Sequence, residues 1–81
     1  MKNWMKVERA KREMTQDDLA EAIGVSRYSV MAIESQRYEP SCEFAMMVSR
    51  YFGMKVEELF FLTDKDIPQV KNPQKVKGGK K

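Results

Sequence analysis

The sequence predicts an all-α fold, a compact bundle of five short helices followed by a flexible basic tail. Three observations lead to this prediction. Apolar residues recur at helical spacing through residues 1–63, and no alternating strand pattern competes with them. Residues that cap helices precede three of the helical segments. Glycine and proline are scarce before residue 64 and common after it, so the domain is expected to occupy residues 1–63 and the tail residues 64–81.

The predicted helices are joined by connections of only a few residues. They occupy residues 4–13, 16–23, 27–35, 42–52 and 56–62. On the first helix, Val7, Ala10 and Met14 share one face, which is expected to be buried. Thr15 precedes the second helix and Asp18 follows three residues later, so the two predict a capping box at its start.

The strongest local signal lies where the second predicted helix meets the third. Gly24 supplies the positive φ that ends the second helix, and Ser26 caps the third. Ala20 is small enough to let the two helices approach closely. This arrangement projects a helix at an angle that fits a DNA major groove, which is about 12 Å wide. The same pattern also occurs in ordinary αα-hairpins, so on its own it leaves both interpretations open.

The residue types argue against an enzyme. The chain has no histidine, and its single cysteine, Cys42, has no partner base and is expected to be a buried core thiol. Asp17 and Asp18 are adjacent and point to different helix faces, so they do not form a catalytic pair. No apolar run is long enough to cross a membrane. We therefore expect a cytoplasmic protein without a cofactor, metal or small-molecule ligand.

The positive charge of the chain is unevenly distributed. The net charge of +3 divides into −1 for residues 1–63 and +4 for residues 64–81. The predicted domain is therefore not basic as a whole. Any affinity for nucleic acid must come from a local patch, with the lysines of the tail adding a contribution that does not depend on sequence.

Three stretches of the sequence resemble helix-turn-helix regulators of the phage-repressor/Cro type, the XRE-like family. They are TQDDLAEAIGVSRYSVMAIES (residues 15–35), RYEPSCEFAMMVSRYFGMKVEELF (residues 37–60) and KVERAK (residues 6–11). The resemblance implies a five-helix bundle that binds specific sequences of double-stranded DNA, usually as a homodimer. It also implies a role in repressing or activating transcription.

The resemblance also implies a DNA-binding surface centred on the third helix. Its residues are Gln16, Ser26, Arg27, Tyr28, Ser29, Met31, Ser35, Arg37 and Tyr38. Gln16 would contact a phosphate and brace the third helix, while the residues from Ser35 onward would hold the sugar-phosphate backbone. Arg27 can reach guanine O6 and N7 with two hydrogen bonds. A solvated helix face would also contain an arginine, but it would not explain two exposed apolar side chains, Tyr28 and Met31.

Two features depart from the family pattern. Tyr28 and Met31 stand where the family commonly has Gln or Thr, so the target sequence cannot be copied from a relative. Gln36 stands where the family usually has glycine. If the backbone there is still left-handed, the substitution costs about 1 kcal/mol.

Two further sets of residues are assigned structural roles. By resemblance, Arg9 and Glu34 form an internal salt bridge between the first and third helices; two unrelated surface charges are the alternative. The fourth helix has more apolar residues than one inward face needs, which indicates either a subunit interface or a core with ordinary exposed rims. We expect Phe61, Tyr51 and Met47 in that interface. The alternative function is an antitoxin or another protein-interaction module with the same fold.

Overall fold

The computed structural model describes residues 1–66 as five helices and one pair of short strands. The elements are β1 (Lys2–Asn3), α1 (Met5–Lys11), α2 (Gln16–Ile23), α3 (Arg27–Glu34), α4 (Cys42–Phe52), α5 (Val56–Leu59) and β2 (Phe60–Phe61). The predicted helical bundle is confirmed. Of the predicted basic tail, residues 67–81 lie outside the described residues. Asp66, the last described residue, accepts hydrogen bonds from Thr63, whose amide lies 2.9 Å from Asp66 Oδ2.

The capping signals between α1 and α3 fix the turn of the predicted motif. The Thr15 hydroxyl accepts a hydrogen bond from the Asp18 amide at 3.0 Å, and Asp18 Oδ2 accepts one from the Thr15 amide at 2.9 Å, so the capping box is present. Gly24 ends α2 with a φ of 75°, and Ser26 caps α3 through the amide of Ser29. The sequence therefore predicted both the bounds of α2 and its turn into α3.

A single apolar core lies between the helices. All five helices contribute a fully buried apolar residue to it: Met5, Leu19, Val30, Val48 and Leu59. Phe44, another apolar residue of α4, is also buried in this core. Helix α4 is the longest, and Gly53 ends it in the left-handed conformation. It packs against α2 and α5.

The predicted inward face of α1 is wrong. Val7 and Ala10 are exposed, whereas Met5 and Glu8 are buried. The helix starts at Met5, and its inner face is set by that residue and the position three residues later. Ion pairs with Arg12 and Lys11 offset the cost of burying the Glu8 carboxylate. An acidic residue therefore occupies a buried position that an apolar pattern cannot reveal.

The fifth helix is shorter than predicted. It ends at Leu59, and Phe60 and Phe61 pair in antiparallel register with Asn3 and Lys2. The Trp4 amide extends this pairing by donating to the Leu59 carbonyl at 2.9 Å. Two strands of two residues each give no alternating pattern in the sequence, so only the folded structure, in which residues 2–3 meet residues 60–61, reveals them.

Two loop features complete the fold. Cys42 is exposed, with Sγ 3.7 Å from Met46 Sδ, so the expectation of a buried core thiol is wrong. Cys42 is the first residue of α4, and the buried residues of this helix begin only at Phe44. Gln36 has a φ of 64°, which confirms that the loop after α3 retains the left-handed conformation that the family builds with glycine.

Candidate nucleic-acid interface

The N-terminal half of α3 presents its outward side chains to solvent. Arg27 is the first residue of this helix, and its side chain is 62% exposed. Tyr28 and Met31 are exposed as well. The Arg27 Nε atom lies 3.8 Å from Asp17 Oδ1 at the start of α2, an ion pair between two exposed side chains. This side of α3 therefore offers hydrogen-bond donors and apolar surface together.

Tyr28 belongs to a cluster with two residues of the following loop. Its ring lies 6.2 Å from the ring of Tyr38, edge to face. Tyr38 and then Arg37 lower the pKa of the Tyr28 hydroxyl by hydrogen bonding, and the same interaction raises the pKa of Tyr38. The structure thus brings together three predicted DNA-binding residues that come from a helix and a loop.

The two serines at the start of α3 have less freedom than the sequence implied. The Ser26 hydroxyl accepts from the Ser29 amide at 3.1 Å, and the two hydroxyl oxygens are 3.0 Å apart. Ser26 is exposed and Ser29 is half-buried. Their hydroxyls are therefore engaged with each other, and the Ser26 hydroxyl caps the start of α3.

A cleft beside α3 is lined by three further residues of the predicted DNA-binding surface. It has a volume of about 200 Å³, and Gln16, Met31 and Ser35 contribute to its lining, together with Lys6. The Ser35 hydroxyl donates to the Ala32 carbonyl at 3.1 Å, so one hydrogen bond already orients it. The cleft lies between α1, the start of α2 and the end of α3, so its polar groups flank the exposed face of α3.

The wall of this cleft is held by an ion pair between α1 and α3. Arg9 Nε lies 2.7 Å from Glu34 Oε2, and Arg9 Nη2 lies 3.1 Å from Glu34 Oε1. Gln16 Nε2 donates to Glu34 Oε1 at 3.1 Å, and the Met14 carbonyl accepts from Arg9. Both charged side chains are largely buried, and Glu34 raises the pKa of Arg9. Gln16 is thus fixed against α3 by its own amide.

Two residues in this region were absent from the predicted site. Lys6 lines the cleft from α1, and Asp17 pairs with Arg27. Lys6 precedes Arg9 by three residues, a spacing that places both on one side of α1 and was available from the sequence. The Asp17 contact depends on how α2 and α3 cross, so sequence spacing alone does not reveal it.

The residues predicted at a dimer interface lie in two separate regions of the surface. Phe61 is half-buried, and its ring centroid lies 5.4 Å from that of Trp4, an exposed residue. Met47 and Tyr51 instead line a groove of about 310 Å³ near the end of α2. The Tyr51 hydroxyl lies 3.8 Å from Met14 Sδ. Phe61 therefore belongs to an apolar surface with Trp4, while the other two extend the outer face of α4.

Two capped helices meeting at a left-handed glycine, with the second presenting an exposed polar and aromatic face, define the helix-turn-helix class. A family profile described as Helix-turn-helix matches residues 5–59, more than half of the chain. The chain belongs to this family of DNA-binding transcriptional regulators.

Several curated proteins are similar over nearly their full length. An HTH-type transcriptional regulator of Methanocaldococcus jannaschii is 44% identical over 64 residues, which cover 79% of this chain and 97% of that protein. The HTH-type transcriptional regulator YgzD of Bacillus subtilis is 39% identical over 66 residues, or 82% of this chain and 100% of its own. One from Archaeoglobus fulgidus is 34% identical over 67 residues, 83% and 94% of the two chains. All three carry the name of a regulator rather than an enzyme.

Within residues 1–66, no helix is both long and apolar enough to cross a lipid bilayer.

Proposed function

We propose that this protein is a cytoplasmic repressor that binds a specific double-stranded DNA sequence as a homodimer and reads the major groove with α3. It performs no enzymatic reaction. The observation that carries the proposal is the exposed start of α3, where Arg27, Tyr28 and Met31 point outward on a helix capped and braced from behind.

Arg27 is the residue we assign to base recognition. It is the first residue of α3, and the N-terminal residues of a recognition helix are those that reach base edges. A guanidinium group matches the O6 and N7 acceptors of guanine with two hydrogen bonds. Tyr28 and Met31 add a phenol and apolar surface, which fit a base edge and the methyl group of thymine.

The residues around α3 are assigned to the sugar-phosphate backbone. Gln16 is the first residue of α2, and its side-chain amide, oriented beside α3 by Glu34, is assigned to a phosphate contact. Ser35 and Lys6 line the adjacent cleft, and Arg37 lies beside Tyr28 on the other side. Contacts of this kind fix the register of α3 in the groove without carrying sequence information.

The homodimer follows from the number of base pairs that one helix can read. A single recognition helix covers too few base pairs to mark a site in a genome, and the usual solution is a two-fold dimer with half-sites about 34 Å apart. Phe61 and its neighbour Trp4 supply an apolar surface for the contact between subunits. Repression is the simpler role for such a dimer, because occupying the site suffices to block transcription.

The test is to select bound sequences from a random pool of double-stranded DNA. We expect a palindromic consensus with guanine at matching positions of the two half-sites. Replacing Arg27 by alanine should cost about 1–3 kcal/mol on this site and relax the preference at one base pair of each half-site. Failure to enrich any sequence would contradict the proposal. An equal loss on all sequences would instead make Arg27 a phosphate contact.

A protein-interaction module, such as an antitoxin, is the second candidate. The observation that favours it is a groove of about 600 Å³ on the outer side of α4, lined partly by Met46, Met47 and Met54. Met46 is 59% exposed, and flexible methionine side chains are common at surfaces that bind proteins. This candidate would move ahead if the selection enriches no DNA sequence.

A further inference from the structure

We propose that Asp17 is a positioning residue that orients the guanidinium group of Arg27 and thereby sharpens its base preference. The proposal rests on the proposed function, in which Arg27 reads a base. Asp17 itself does not contact the base. It acts on the arginine from the neighbouring helix, across the turn between α2 and α3.

The carboxylate of Asp17 is attached to a well-fixed backbone. Asp17 is the second residue of α2, and the reciprocal hydrogen bonds of Thr15 and Asp18 enclose it. The turn to α3 is closed by a hydrogen bond of 2.9 Å from the Val25 amide to the Ala20 carbonyl. The start of α2 therefore keeps a fixed position relative to the start of α3.

The contact is made at Nε, a guanidinium nitrogen that the two hydrogen bonds to guanine do not require. The 3.8 Å distance joins Asp17 Oδ1 to Nε of Arg27, the nitrogen nearest the chain. The terminal Nη1 and Nη2 atoms remain able to donate to guanine O6 and N7. A free arginine side chain samples many rotamers in water, and an ion pair at Nε reduces the number that must be lost on binding.

The pair is too exposed to serve mainly the stability of the fold. The side chains of Arg27 and Asp17 are 62% and 74% exposed, and exposed ion pairs contribute little to folding. A carboxylate at this edge also repels the phosphates of any DNA. Asp17 therefore has two separable effects: it weakens binding to all sequences and it raises discrimination at the base pair that Arg27 reads.

Removing the charge of Asp17 should change these two quantities in opposite directions: affinity for unrelated DNA should rise and discrimination at the base pair should fall. The Asp17→Asn variant should bind unrelated DNA more tightly than the wild type, because a negative charge is lost. Its ratio of affinities at the base pair read by Arg27 should fall about two- to fivefold, the range of an exposed ion pair. Any change in the folded fraction cancels in this ratio, because both DNA sequences meet the same protein.

Glu21→Gln is the charge-matched control. Glu21 lies one turn further along α2, is exposed, and forms no ion pair within residues 1–66. It should change the affinity for unrelated DNA but leave the ratio unaltered. In the Arg27→Ala background, Asp17→Asn should no longer change the ratio, whereas its effect on unrelated DNA should persist.

The outcomes separate this inference from the proposed function. If Asp17→Asn leaves the ratio unchanged, or alters it equally with and without Arg27, Asp17 does not act through the arginine and the inference is wrong, while base reading by Arg27 stands. If Arg27→Ala changes the preference at no base pair, the assignment of base reading to Arg27 fails and the role of Asp17 fails with it.

Discussion

At the scale of single residues, two side chains occupy backbone conformations that favour glycine. Among residues 1–66, Glu13 has a φ of 55° and Gln36 a φ of 64°. Gln36 lies between α3 and the Arg37–Tyr38 pair beside the recognition helix. The amides of these two loop residues both donate to the Ala32 carbonyl, at 2.8 and 3.3 Å. The left-handed turn at Gln36 is therefore what folds this loop back onto the end of α3.

We expect Gln36→Gly to stabilise the protein. Glycine adopts a positive φ without steric cost, and the gain should be about 0.5–1 kcal/mol after its greater freedom in the unfolded chain is subtracted. Gln36→Val is the contrasting variant, since a β-branched side chain fits this conformation poorly. Denaturant unfolding should place glycine above and valine below the wild type. If both variants destabilise the protein equally, the glutamine side chain rather than the backbone matters here.

At the scale of elements, a polar network joins α1 to the end of α4. Arg12 Nη1 donates to the Glu8 carboxylate at 2.8 Å, and Arg12 Nη2 donates to the Phe52 carbonyl at 3.1 Å. The guanidinium carbon also lies 4.5 Å from the centre of the Phe52 ring. Arg12, followed by Lys11, lowers the pKa of Glu8 by hydrogen bonding. Helix α1 is therefore held in part by an ionised carboxylate, on a face that its apolar pattern did not predict to be buried.

This network should make the stability of the protein depend on pH. Because the pKa of Glu8 is lowered in the folded state, its contribution is present above about pH 4.3, the ordinary value in an unfolded chain. It is lost as the pH falls through the lower folded value. Glu8→Gln should therefore reduce the free energy of unfolding at pH 7, and its difference from the wild type should shrink in acid. Exposed Glu43 supplies the charge-matched control, Glu43→Gln; a constant difference across pH would contradict the role of the Glu8 charge.

The elements that the sequence predicted well are those specified locally. Thr15, Ser26 and Gly24 act within their own turn of chain, and the bounds of α2 follow from them. The strand pair depends on residues such as Asn3 and Phe60 that meet only in the folded chain, so no local pattern encodes it. The candidate site divides in the same way. The resemblance to a family predicted which residues of α3 form the site, whereas the pairing of Asp17 with Arg27 depends on how α2 and α3 cross.

At the scale of the whole molecule, the exposed apolar side chains of residues 1–66 form more than one surface. Trp4 and Phe61 contact each other beside the strand pair, and Leu62, the next residue, is 51% exposed. The methionine-rich groove lies along α4 and the start of α5. A two-fold dimer needs a patch that can contact its own copy near the symmetry axis. We propose the Trp4–Phe61 surface for this role because it combines an exposed and a half-buried aromatic ring in contact with each other.

We expect sedimentation at micromolar concentration to give twice the 9.5 kDa mass of the chain. Phe61→Glu should shift the protein toward monomer, because two-fold symmetry brings two new carboxylates together where an apolar contact was buried. Met46→Glu is the matched control: Met46 is also apolar, is 59% exposed, and lies on α4 outside the Trp4–Phe61 surface. Circular dichroism of both variants would show whether the helices are kept. A folded Phe61→Glu variant that remains dimeric would place the interface elsewhere, with Met47 and Tyr51 the next residues to replace. A wild type that stays monomeric both free and on its selected DNA would contradict the two-fold arrangement altogether, and the protein would then read a single half-site.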